Sequence, residues 1–205
     1  KFYKINKKKI IFIPNGVDKT FYCESKKNFK NKKLNIVFYN GFDNEIDRGL
    51  NNILQALNEL TNIEFTLFII GNNLDDFGKI YNYEIRNFKP MNEIKLIEFL
   101  RDKHIFLKST TYDSFPIMVL ECMAAGLIVI ISNKVGITSY IKNGKNGFVY
   151  SNLSEVKKII ENIYNRNINL SLISDNAKAI CIELNWESIG EQYLNLYKVL
   201  NRKSN

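Results

Sequence analysis

At 205 residues the chain is long enough for one well-cored domain and short for two. Its 45% hydrophobic and 24% charged content is ordinary for a soluble globular protein, and no run of ~18 apolar residues is present to form a membrane-spanning helix. The net charge of +8 fits an anionic ligand, an anionic membrane surface or nucleic acid, but much of it lies in Lys1 to Lys9 and Lys26 to Lys33. Those segments read as solvated linkers or edges rather than a patterned recognition helix, so no nucleic-acid partner is expected. With no secretory leader pattern the expected residence is cytoplasmic, with peripheral contact at the inner face of the plasma membrane left open. Cys23, Cys122 and Cys181 are widely spaced, and the single histidine, His104, offers no second imidazole, so neither a disulfide framework nor a zinc site is expected.

In chain order, Ile10 to Ile13 predicts a strand closed by the turn signal Pro14-Asn15-Gly16. Leu34 to Tyr39 predicts a second strand, and Gly49 to Leu60 a helix with its apolar stripe at Leu50, Ile53, Leu54, Leu57 and Leu60. Phe65 to Ile70 is an almost unbroken apolar run stopped by Gly71, the signature of a strand buried on both faces. A modest strand at Tyr83 to Phe88 and a short helix at Asn92 to Leu100 follow. Strands at Ile105 to Leu107, opened by a structural His104, and at Ile128 to Ile131 flank an apolar helix that begins near Phe115. Helices are expected at Val135 to Lys142, Leu153 to Tyr164, Leu170 to Glu183 and Trp186 to Leu200. Strands spaced by helices imply an α/β fold with a Rossmann-like, doubly wound parallel sheet. Ligands of such sheets bind at the carboxyl ends of the strands.

Asp113 to Gly126, DSFPIMVLECMAAG, is the most informative stretch. Pro116 suits the first helical position, Ser114 is a plausible cap and Gly126 a plausible stop. The helix between is apolar all round, hence buried, yet it carries the carboxylate of Glu121. An ionised carboxylate buried without a partner costs several kcal/mol, so Glu121 demands a hydrogen-bonding partner. It follows Ile117 by four residues and Ser114 by seven, on the same face as the helix start and ~10 Å along the axis. The open N–H groups of that start favour an anion such as phosphate. A nucleotide diphosphate there would bring its ribose hydroxyls to Glu121, and Asp113 would accept from a sugar beyond the diphosphate. The plainer alternative is that Glu121 pairs with a lysine or a backbone amide and that Asp113 is a helix cap.

This segment resembles the E-x7-E segment of glycosyltransferase family 4, a retaining GT-B family, with Asp113 and Glu121 at its two acidic positions. Further matches occur in the same order. IPNGVD at Ile13 to Asp18 resembles the hinge, FYNGFDNEIDRGLNNILQAL the glycine–basic segment, and FIIGNN at Phe68 to Asn73 the second strand and loop. IVIISNKVGITSYIKNGKNGFVY resembles the segment after the acidic helix, and ELNWESIGEQYLNLY the closing helices. The resemblance implies that residues 1–205 form one donor-binding domain, with about 1–20 as hinge and first strand and 186–205 as closing helix. It also implies an acceptor domain, for a glycan or lipid-linked acceptor, that is missing from these residues. Glu121 would bind the ribose, Asp113 with the amides of Phe115 and Ile117 the donor sugar, and Arg48 the diphosphate, beside Gly41. Pro116, without an N–H, would only shape the loop, and the base would lie near Phe88 and Lys89.

The implied reaction is sugar transfer from a nucleotide-diphosphate sugar to an acceptor hydroxyl, with no cofactor and no metal, in bacterial surface polysaccharide or lipopolysaccharide assembly. The isolated domain would transfer nothing. Asp75-Asp76 has the wrong spacing for a DxD-like metal motif and reads as a polar loop. Phe42 stands where the family has a second phosphate-binding arginine, and Asp113 is one methylene shorter than the usual glutamate. A GT-B-fold nucleotide-sugar epimerase, a non-catalytic nucleotide-binding module and a basic nucleic-acid or membrane-surface binder are the other readings.

Overall fold

A computed structural model describes residues 6, 10–22, 27–30, 32–41, 49–71, 81–110 and 112–202. Among the described residues six strands form one sheet, β1 (Leu34–Gly41), β2 (Phe65–Gly71), β3 (Glu84–Phe88), β4 (Ile105–Lys108), β5 (Ile128–Ser132) and β6 (Phe148–Tyr150). Six helices accompany them, α1 (Leu50–Asn58), α2 (Glu93–Leu100), α3 (Ile117–Ala124), α4 (Leu153–Tyr164), α5 (Leu170–Glu183) and α6 (Trp186–Arg202). The strand order is β3-β2-β1-β4-β5-β6 and every pairing is parallel. The expected α/β, Rossmann-like doubly wound sheet is therefore the architecture.

The unbroken apolar runs are explained by burial on both faces, since alternate residues of a strand serve opposite sides. Ile36 and Phe38 of β1, Leu67 and Ile69 of β2, Ile105 and Leu107 of β4 and Ile128 and Ile130 of β5 pack with α1 and α4. Val37, Phe68, Phe106 and Val129 face the other way, into a cluster with α3 and Ala177 and Cys181 of α5. Each fully buried aliphatic side chain stabilises by ~1.5–3 kcal/mol relative to exposure. His104 is buried at the start of β4, where its Nδ1 accepts the Asn35 N–H at 2.8 Å. That satisfied ring is structural, as expected, and burial lowers its pKa.

Four local expectations are corrected. Ile10 to Ile13 forms no strand, and Ile10, Ile11 and Phe12 are 58–64% exposed. Among the described residues backbone pairing begins after the Pro14-Asn15-Gly16 turn, where Val17 bridges Asn185, and the first strand of the sheet is Leu34–Gly41. The segment from Val135 to Lys142 makes only the 3-10 turn Gly136–Tyr140, because the chain turns extended at Ile141, at ψ 113, with its N–H donating to Thr138 O. Ser114 does not cap α3, and Pro116 is not its first helical residue. Pro116 has ψ 117 and occupies the N-cap position, with no side-chain capping bond.

Gly126 stops α3 as expected. At φ +80 it closes a Schellman motif, its N–H donating to Met123 O and that of Leu127 to Cys122 O, each at 2.9 Å. A Cβ there would lie 2.7 Å from Lys178 Cε and 2.9 Å from Ser174 Oγ, the hydroxyl that donates to Gly126 O. Gly126→Ala is expected to cost ~1–3 kcal/mol, read as a lower urea midpoint with an unchanged m-value; an unchanged midpoint would contradict the strain at this position.

Candidate functional site

The chain runs β1, β2, β3 outward and then crosses back to β4 on the other side of β1. A crevice opens at that reversal, beyond the strands' carboxyl ends, where such sheets receive ligands. A cleft of about 390 Å³ occupies this place, with Tyr39, Ile70 and Lys108 from the ends of β1, β2 and β4 in its lining. Asp113, Pro116, Ile117, Met118 and Glu121 form a second wall, and Phe21, Pro90, Met91, Glu93 and Leu96 complete it.

Helix α3 shows why Glu121 reaches this space. Of its eight residues, all are buried except Ile117, 39% exposed, and Glu121, half-buried. They stand one turn apart on one face, and both line the cleft. The first N–H groups of the helix lie outside the i→i−4 ladder, and no side chain caps them.

Among the described residues the Glu121 carboxylate makes no hydrogen bond or ion pair. Burial, and then the nearby Glu93 carboxylate, push its pKa up to about 7. Glu93 is anchored in the first turn of α2, where it accepts from Thr20 Oγ1 at 2.7 Å. The plainer alternative gave Glu121 a lysine or a backbone amide; the lysine at this wall, Lys108, pairs with Asp113 instead, its Nζ 3.0 Å from Asp113 Oδ2.

The loop carrying Asp113 is held from two sides. Asp113 pairs with Val135, and its N–H donates to Lys134 O at 3.4 Å while its carbonyl accepts from the Gly136 N–H. Gly136 touches the loop so closely that a Cβ would fall 1.7 Å from Ser114 O. On the other side, Asn15 Nδ2 donates to Phe115 O at 3.1 Å, and the buried Phe115 ring meets Phe12 and, edge-on, Tyr140.

Of the residues singled out in the sequence, Asp113, Pro116, Ile117 and Glu121 are brought together in the cleft. Ser114 and Phe115 belong to the same loop but lie outside the lining, the first exposed and the second turned into the core. Gly41, at φ +85, ends β1 opposite Gly71. Phe88 packs on Phe68 and Phe99 and Lys89 is exposed, so Pro90 and Met91 rather than these two form that wall. Arg48, Phe42, Asp75 and Asp76 lie outside the described residues. Lys108 was missed. Its signal was a lysine closing the otherwise apolar run Ile105–Lys108, at the strand end where this fold binds ligands.

The sheet order and the crevice at its reversal, with the acid-bearing helix beside it, are those of a Rossmann-like domain whose ligands are received beyond the strand ends. The sequence profile of glycosyl transferases group 1 matches residues 23–190, and the chain belongs to this family. It is 25% identical over 209 residues to a probable sucrose-phosphate synthase of Thermosipho melanesiensis, covering 95% of the chain and 48% of the relative. A protein from the cps region of Klebsiella pneumoniae is 24% identical over 131 residues, 63% of the chain and 36% of that protein. The chain thus spans about half, or less, of the length of these relatives. Among solved structures, a glycosyltransferase from Rickettsia africae superposes with a TM-score of 0.78 at 18% identity, over 95% of this chain and 58% of that one. The Anabaena HepE structure in complex with UDP-glucose superposes with a TM-score of 0.72 at 15% identity, over 91% and 57%.

Because the Glu121 pKa is raised, its neutral form stabilises the ligand-free fold fully below about 4.5, and that contribution is lost as pH rises through about 7. Glu121→Gln is expected to match the parent in unfolding free energy near pH 4.5 and to exceed it by up to ~3 kcal/mol above pH 7. Parallel urea titrations of the two proteins across that range check this, and a constant difference between them would count against it.

Proposed function

We propose that this domain binds the donor of a retaining glycosyltransferase, a nucleotide-diphosphate sugar whose sugar passes to an acceptor hydroxyl. The observation that supports this most is the Glu121 carboxylate, without a hydrogen bond or ion pair among the described residues and facing a cleft beside the start of α3, which no side chain caps. A ribose supplies the two hydroxyl donors that such a carboxylate lacks, and the helix start favours the adjoining diphosphate. Asp113, eight residues earlier on the same wall, takes the sugar, with the amides of Phe115 and Ile117 beside it.

In this reading the bond between the anomeric carbon and the diphosphate breaks while the bond to the acceptor oxygen forms, and the acceptor hydroxyl gives up its proton to the departing diphosphate. Negative charge grows on the departing diphosphate, and Arg48 with the helix start stabilises it, an electrostatic contribution fixed before reaction. We assign the neutralising role to these groups rather than to a divalent metal. The glycan or lipid-linked acceptor would be held by protein outside these residues, which fits the half-length match to the relatives. Surface polysaccharide assembly is the pathway we favour, supported by the cps-region relative. The HepE complex makes a UDP-sugar the first donor to try.

The expected outcome is that one nucleoside diphosphate, among UDP and GDP, raises the thermal midpoint of the chain by mass action, and that Glu121→Ala abolishes the shift while remaining folded. Equal binding by that variant would remove the ribose assignment. Ligand hydroxyls favour the ionised form of a carboxylate whose pKa is about 7, so affinity should rise about tenfold between pH 6 and pH 8. Calorimetric titration should show this rise in the parent and a flatter profile in Glu121→Gln.

A further inference from the structure

The residues of β4 alternate between the two faces of the sheet. Ile105 and Leu107 turn towards α1 and α4, while Phe106 turns towards α3. The same alternation puts Lys108, the last residue of the strand, on the α3 side, beneath the loop that begins at Asp113. Its side chain is 3% exposed, whereas that of Asp113 is 18% exposed. Both line the cleft, so the acid stands at the opening and the lysine behind it. Taking an ammonium out of water is costly unless a charge and hydrogen bonds compensate it, and Asp113 Oδ2 at 3.0 Å supplies that charge from within a ligand cleft rather than from a surface.

We propose that Lys108 is a positioning residue for the sugar end of the donor cleft: its ammonium holds the Asp113 carboxylate at the angle and depth from which this short acid meets a hydroxyl of the donor sugar. The proposal rests on the donor-binding reading above. An aspartate here reaches one methylene less far than a glutamate, so its productive position depends more strictly on what fixes it. The main chain of Asp113 is pinned by Lys134, Val135 and Gly136, and the ion pair to Lys108 adds a constraint on the side chain. A geometry held within about 0.5 Å by supporting contacts is what a binding constellation requires. Lys108 acts through Asp113, not on the diphosphate.

The test uses the whole chain and calorimetric titration with UDP, GDP, UDP-glucose, UDP-galactose and GDP-mannose. The quantity read is the sugar gain, the ratio of the affinity for a nucleotide sugar to that for its own nucleoside diphosphate. The parent is expected to show a gain of about tenfold for one sugar. Lys108→Met should lose most of it while the nucleoside diphosphate affinity stays within about twofold. Lys108→Arg, which keeps the charge but not the length, should retain a reduced gain, and it carries the measurement if Lys108→Met fails to fold. The double variant Lys108→Met with Asp113→Asn should fold and show no gain. A lysine that was only a counter-ion would give the opposite result, with the gain intact in Lys108→Met or Lys108→Arg, and that would overturn the proposal. A fall of about tenfold in nucleoside diphosphate affinity would assign Lys108 to the phosphates and overturn it equally. A parent chain that binds nucleotide with no gain from any sugar removes the role of Lys108, whereas a parent that binds none of the five removes the donor-binding reading itself.

Discussion

Helix α3 is packed between the sheet and α5, and that burial sets the terms for the cleft. Leu120, Cys122 and Ala124 have no exposed surface, Cys181 Sγ of α5 lies 3.4 Å from Leu120 O, and Ser174 Oγ of α5 holds Gly126 O at the far end. The helix has almost no freedom to rotate, because any rotation would put apolar surface into water and a carboxylate into the core. The single stripe left open, Ile117 and Glu121, is therefore aimed permanently at the space between β1 and β4. A group such as Glu121, desolvated and near another acid, is costly in the empty protein, and a perturbed carboxylate in a cleft is a mark of functional sites.

The same physics decided which parts of the fold were legible in the sequence. Strands buried on both faces, such as Phe65–Gly71, are unbroken apolar runs with glycine at the end, and helices α4 and α5 carry the bounds that their periodicity implies. Both patterns are written by solvent exclusion, which acts residue by residue. Ile10 to Phe12 misled because apolar residues in sequence do not reveal whether a pairing edge is at hand. The Gly136–Tyr140 turn misled because helical composition does not report that the chain turns extended at Ile141 after a single 3-10 turn.

The cleft was half legible. Glu121 stood out because an acid in an apolar helix violates the local pattern, and Asp113 through the resemblance of this segment to the E-x7-E segment. Lys108 did not, because its significance lies in a contact to a side chain five residues away across a loop whose path no periodicity reports. The Pro90-Met91 wall was displaced by two residues from the expected Phe88 and Lys89 for a similar reason. Phe88 ends a strand next to Phe68 and Phe99, and aromatic packing drew it inward.

Gly16 has a mechanical consequence. It lies so close to the start of α6 that a Cβ would meet the Trp186 ring and Cα at 2.8–2.9 Å, and the next residue, Val17, accepts from the Trp186 N–H and donates to Leu184 O. One residue earlier, Asn15 grips the carbonyl of Phe115. Three consecutive positions thus fasten the last helix to the loop beside the cleft, like a short strap with a buckle at each end. If α6 is tugged or tilted, the strain arrives at Phe115, in the loop beside the cleft, within the span of a tripeptide.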